Sequence, residues 1–222
     1  LEKFERGLSC TATLIAENLA VTSKHCLHSN GPKALFSDLY RQSPASQNWA
    51  LITKAYTTCI PGWCQQEGTY VPWPHEDTFN YARLASADQA IVELDKSLGT
   101  VTGTFNVHDS SQAPPDSELR VAGYPSAFAE LNNGKKVKYI SQAVCSQFQS
   151  SYLEETYSDC SQTGGMTGGP LFYEKEGTFF LVSVLSGRVG LVNREFFPLD
   201  LRGLTAASFY RSQLYERFLE KR

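Results

Sequence analysis

The stretch that most constrains this chain is Gly164-Gly165-Met166-Thr167-Gly168-Gly169-Pro170-Leu171. Four glycines and a proline in eight residues are incompatible with a helix or a regular strand, where glycine loses the most backbone entropy. They suit a tight turn whose bare amides approach a ligand closely. One hydroxyl, that of Thr167, stands in the middle of the turn. Such a hydroxyl is a poor nucleophile at neutral pH until a base takes its proton and a third group orients that base. The rest of the chain is therefore searched for a base and an orienting acid.

With 222 residues, the chain makes one large domain or two small ones with ample core. Hydrophobic residues at 41% and charged residues at 19% describe an ordinary globular protein. A net charge of −3 gives no electrostatic case for nucleic acid or an anionic membrane. No apolar run reaches the ~20 residues that cross a bilayer. The sequence opens at Leu1 without a signal-like stretch, which we read as a mature or trimmed form.

The six cysteines form three clustered pairs, Cys10 with Cys26, Cys59 with Cys64, and Cys145 with Cys160. Pairing by proximity is one of about fifteen possible connectivities, and it implies an oxidising compartment, secreted or periplasmic. Buried thiols in a reducing compartment are the plainer alternative. No Cys-x-x-Cys or finger-spaced His supports zinc, and no metal or cofactor is expected.

Strand signals dominate. Thr11–Ala16, Glu17-Asn18 and Leu19–Thr22 read as a β-hairpin, and Leu51–Tyr56 continues the pattern. Residues 61–78 hold aromatics, prolines and acids without periodicity, and read as a surface loop. Ala90–Leu94 is a short buried strand. Asp109–Glu118 is polar and proline-containing, a linker between two halves. Leu119–Tyr124 is a strand, Asn133-Gly134 a type I′ hairpin signal leading into Val137–Ile140, and Leu171–Tyr173 with Thr178–Leu185 flank a turn at Glu176-Gly177. Tyr210, Leu214 and Phe218, with Tyr215 and Leu219 beside them, form the apolar stripe of a terminal helix. The expected organisation is a β-rich unit over 1–108, a linker over 109–118, a second β-rich unit over 119–205 and a helix over 206–222. The expected class is all-β, as paired barrels or sandwiches.

Four histidines are candidate bases. His28, His75 and His108 sit in polar turns, where solvated surface is the simpler reading. His25 follows a strand and adjoins Cys26, so a Cys10–Cys26 bridge would hold its segment rigid, as a catalytic base requires. Asp88 is the preferred acid, because it stands directly before a buried strand and can be shielded from water. Asp77, Asp95 and Asp109 have less apolar surroundings.

Three blocks then stand in order: Thr11–Ile15 with Thr22-Ser23-Lys24-His25-Cys26, Asp88–Leu94, and Gly165–Leu171. Together they resemble the signature blocks of chymotrypsin-like serine peptidases, in that family's order of His, Asp and nucleophile. Gly123-Tyr124-Pro125 and Tyr157-Ser158-Asp159-Cys160 look more like the secreted bacterial, glutamyl-endopeptidase-like branch than like trypsin. The resemblance covers most of residues 8–219. It implies two perpendicular β-barrels, one carrying His25 and Asp88 and the other Thr167, with a protein or peptide substrate lying between them in a monomer. It further implies an oxyanion hole at the amides of Gly165 and Thr167, and a helper role for Ser186 in holding the acid.

Several positions depart from the family pattern. Thr167 stands where the family has Ser, adding a β-methyl beside the attacking oxygen and stiffening χ1. Three origins stay open: a Ser→Thr replacement made to weaken the enzyme, a natural Thr with reduced or unusual activity, and a pseudoenzyme. Met166 replaces the Asp that, in the trypsin branch, pairs with a new N-terminus. Ser161, Leu185 and Arg188 fall at substrate-facing positions, along with Ser186, and they name no preferred residue. A binding module using the cleft or Trp63, Tyr70 and Trp73 is the runner-up function. A metal site at His75-Glu76-Asp77 is a third, weaker idea.

Overall fold

The computed structural model describes residues 10–27, 35–37, 49–57, 88–107, 118–125, 129–132, 135–138, 140–145, 147–149, 156–158, 165–187, 203–205 and 213–221. Strands predominate, as the sequence predicts. The first sheet is built from β1 (Thr13–Leu14), β2 (Leu19–Thr22), β3 (Leu35–Ser37), β4 (Trp49–Thr57) and β5 (Ala90–Leu94). It runs in the order β1-β2-β5-β4-β3. The expected hairpin is present, with Thr13 opposite Val21 and Leu14 opposite Ala20.

The second half contributes β6 (Asn106–Val107), β7 (Leu119–Gly123), β8 (Ala129–Asn132), β9 (Lys135–Lys138), β10 (Ser141–Cys145), β11 (Gln147–Gln149), β12 (Thr156–Ser158), β13 (Pro170–Lys175), β14 (Thr178–Gly187) and β15 (Gly203–Thr205). Its main sheet is ordered β10-β7-β13-β14-β15-β12-β11, and β6 adds in parallel to β14. β8 and β9 make a separate hairpin in which Asn132 faces Lys135, as the Asn-Gly signal requires. The β13–β14 turn has φ of 53° at Glu176 and 75° at Gly177. Two successive positive values are the mark of a type I′ turn, whose twist matches that of the strands.

One apolar cluster ties the halves together. Ile15, Leu19, Val21 and Ile91 from the first sheet meet Leu181 and Val184 from β14, and Leu214 and Phe218 close the cluster. The latter two lie on the terminal helix, Gln213–Lys221. The stripe is thus narrower than expected, because Leu219 is exposed, one residue and so about 100° around the helix from Phe218. A second cluster lies under the glycine-rich turn, formed by Leu119, Val121, Met166, Leu171, Tyr173, Val182 and Leu185.

β14 serves both clusters because it is bulged. Phe172 pairs with Leu181 while Leu171 pairs with Ser183, which leaves Val182 as the extra residue. A bulge reverses the facing of every side chain beyond it. Leu181 and Val184 therefore share the first cluster, whereas Val182 and Leu185 share the second. Ser186, one residue past Leu185, points back toward the first half. The fold is all-β with a C-terminal helix, and the bulge positions the site.

Candidate active site

Asp88 enters β5 fully buried. Burying a carboxylate is costly unless it is hydrogen-bonded, and Ser186 supplies a bond, its hydroxyl donating to Asp88 Oδ2 at 2.5 Å. That contact joins residues 98 positions apart and brings together two of the predicted site residues. Lys24 is a third group in this buried environment, only 5% exposed. Its desolvation pulls the ammonium pKa below the ordinary 10.5, and the negative charge of Asp88 opposes that fall.

His25 lies in a single 3₁₀ turn, Lys24–Cys26, immediately after β2. The turn is fixed at both ends. Cys26 is bridged to Cys10, as pairing by proximity predicts. On the other side, Ser23 Oγ donates to the carbonyl of Leu185 at 2.6 Å. The His25 side chain lies outside the described residues.

The glycine-rich turn closes on itself through the Gly169 amide, which donates to Met166 O at 2.8 Å. It is fastened to β14 by a reciprocal pair: Gly168 N–H donates to Leu185 O at 2.7 Å, and Leu185 N–H donates to Gly169 O at 2.8 Å. Gly168 has φ +83°, and a Cβ there would lie 2.2 Å from Thr11 O. Only glycine allows that backbone contact. Met166 is buried in the second cluster, so the position holds a thioether in apolar surroundings rather than a carboxylate.

Thr11 meets the turn from the first half. Its amide donates to Thr167 O at 2.7 Å, and its hydroxyl donates to Gly165 O at 2.8 Å. The same hydroxyl accepts from the Tyr124 amide at 3.1 Å, and Thr22 Oγ1 donates to the Thr11 carbonyl at 2.7 Å. Among the described residues, the amides of Gly165, Met166 and Thr167 donate to no acceptor. Thr167 itself is partly exposed.

Of the other candidates, Leu185 is fully buried in the second cluster, with its carbonyl holding the turn. Ser161 and Arg188 lie outside the described residues, as do Cys59, Cys64 and Cys160, the aromatics Trp63, Tyr70 and Trp73, and His75-Glu76-Asp77. Cys145 is itself disulfide-bonded. No group of three or more His, Cys, Asp or Glu side chains suited to a metal ion occurs among the described residues. No described helix is long and apolar enough to cross a membrane. Sequence reasoning gave Thr11, Thr22, Ser23 and Lys24 no role beyond their place in a family block. The available signal was hydroxyl residues flanking Cys10 and His25 at strand ends, where side chains bond to backbone readily.

A family model described as Trypsin matches residues 2–195 of the chain. Among solved structures, one titled as a Glu endopeptidase in complex with MPD aligns with a TM-score of 0.60 and 17% identity. That alignment covers 97% of this chain and 85% of the other. At that identity the likeness concerns the fold. No curated protein matches the sequence.

Proposed function

The chain belongs to the trypsin family, and from that premise we propose that it is a serine-type endopeptidase whose nucleophile is Thr167. His25 acts as general base and then acid, and Asp88 fixes the imidazole tautomer. The hydroxyl of Thr167 attacks the scissile carbonyl, and the resulting acyl-enzyme is released by water. The amides of Gly165 and Thr167 receive the oxyanion, each such donor being worth about 10²–10³ in rate. The observation that carries this reading is the buried Asp88, held by Ser186 from the opposite half and standing just before the strand that adjoins the one leading into His25. The sequence blocks stand nearer the glutamyl-endopeptidase-like branch, while Ser161 and Arg188, at substrate-facing positions of the family pattern, name no preferred residue. The Cys10–Cys26 bridge fits a secreted or periplasmic monomer.

The β-methyl of Thr167 favours one second reading, a cleft that binds peptides without cutting them. A comparison of the Thr167 chain with Thr167→Ser, Thr167→Ala and His25→Ala separates the two. Peptide-library cleavage and fluorophosphonate labelling rise in Thr167→Ser and vanish in the other variants. A Thr167→Ser protein that neither cleaves nor labels would overturn the peptidase reading.

A further inference from the structure

We propose that Thr11 is a positioning residue whose side-chain hydroxyl holds the oxyanion turn in its working orientation, and this rests on the peptidase reading above. Three consecutive peptide units connect Gly165 to Gly168, and each is a rigid plane. Once its carbonyl is fixed, the direction of its N–H is fixed too. The carbonyl of Gly165 is held by Thr11 Oγ1 at 2.8 Å. The carbonyl of Met166, whose unit carries the Thr167 amide, is held by Gly169 N–H at 2.8 Å, and that of Thr167 by Thr11 N–H at 2.7 Å. Thr11 therefore sets the two planes on either side of the one that carries the Thr167 amide, one by side chain and one by backbone.

The side-chain bond has the harder task. Gly165 sits at φ +96°, in a region that glycine enters and leaves at little cost. Rotation about that residue would swing the Gly165–Met166 plane, which adjoins the plane carrying the Thr167 amide, and would shift where that amide points. The Thr11 hydroxyl opposes that swing, and it is itself oriented by the Tyr124 amide at 3.1 Å. The bond to Gly165 is buried, and Thr11 itself is 6% exposed. Thr11 also follows Cys10, whose bridge reaches Cys26 beside His25. One residue thus registers the base-bearing turn against the nucleophile turn.

The test is Thr11→Val, nearly isosteric but without the hydroxyl, and Thr11→Ser, which restores it, both in the Thr167→Ser background. The valine variant is expected to lose about tenfold or more in kcat, below the full 10²–10³ of a deleted oxyanion donor, with KM changed less than twofold. Affinity for a peptidyl boronate, which forms a tetrahedral adduct, falls in parallel, and the serine variant recovers both. Equal kcat in the valine and serine variants would overturn the proposal.

Amide hydrogen exchange of Gly168 and Gly169 provides a readout independent of turnover. It accelerates at least tenfold in Thr11→Val and not in Thr11→Ser. Unchanged exchange overturns the role of Thr11 even in a protein without activity, whereas absent turnover in the Thr167→Ser parent counts only against the peptidase reading. If the valine variant does not fold, Thr11→Ala removes the same hydroxyl and is expected to give the same loss and the same faster exchange, and no loss there counts against Thr11.

Discussion

Replacing Gly168 by alanine tests the packing of the glycine-rich turn most directly. At φ +83° an L-residue bears about 1–2 kcal/mol of left-handed strain. The added Cβ would also stand 2.2 Å from both Thr11 O and Thr22 Oγ1, and 3.0 Å from Ser23 N. Ordinary carbon contacts begin near ~3.5 Å, so the obstructing atoms must retreat by more than an ångström. Thr11 O is backbone, and it cannot move without stretching the 2.7 Å bond from Thr22 Oγ1, worth about 1 kcal/mol. Overpacking adds about 1–3 kcal/mol. The total is roughly 3–6 kcal/mol, a large share of the about 5–15 kcal/mol that holds a domain folded.

Two companions divide that total into its causes. Gly177→Ala carries similar backbone strain at φ +75° with nothing within 4 Å of the new Cβ, so it costs only about 1–2 kcal/mol. Gly169 has no positive φ among the described residues, but its Cβ would lie 2.1 Å from Ala122 O, so Gly169→Ala shows steric cost alone. Urea denaturation of all three, followed by circular dichroism, gives the comparison. A Gly168→Ala protein no less stable than Gly177→Ala would refute the argument that this turn is pressed against the first half.

Two other predictions use the same denaturation assay. Ser186→Ala removes a charge-assisted bond to the buried Asp88 carboxylate and is expected to cost about 1.5–3 kcal/mol, and to lower kcat in the Thr167→Ser background; a change under about 0.5 kcal/mol would show that the bond contributes little. For Lys24, burial lowers the folded pKa below 10.5, so the unfolded chain binds the extra proton and stability rises with pH through the window ending at 10.5. That gain is absent in Lys24→Met. Tyr173, whose pKa burial raises above 10.0, loses stability as pH rises, but equally in both proteins, and it cancels in their difference. A difference curve flat from neutral pH upward would show that Lys24 is solvated in the folded state.

The elements that sequence reasoning found are those whose cause is local. The β1–β2 hairpin, β5 and the turn at Glu176-Gly177 follow from alternation and turn chemistry within a few residues. The terminal helix follows from the spacing of Leu214 and Phe218. The glycine-rich turn was legible because glycine is required there whatever surrounds it, and the Asp88–Ser186 pair because ordered motifs carry family information. The Cys10–Cys26 bridge was one pairing among many until the fold closed it.

What tertiary structure decided has no local signal. The bulge at Val182 comes from packing β13 on β14, and with a second irregularity at Ser186 against β15 it lets Ser186 face Asp88 rather than the second cluster. β6 pairs with β14 although it follows the first sheet in sequence. Lys24 reads as a surface lysine and is buried because β2 delivers it beside Asp88. Thr11 is the clearest case, an unremarked hydroxyl whose partners lie 113 and 154 positions away. Alternation and turn propensity act over a few residues, so they fix each strand by itself. Which carbonyl a hydroxyl finally meets depends on how two sheets settle against each other, and that is determined by the packing of the whole core.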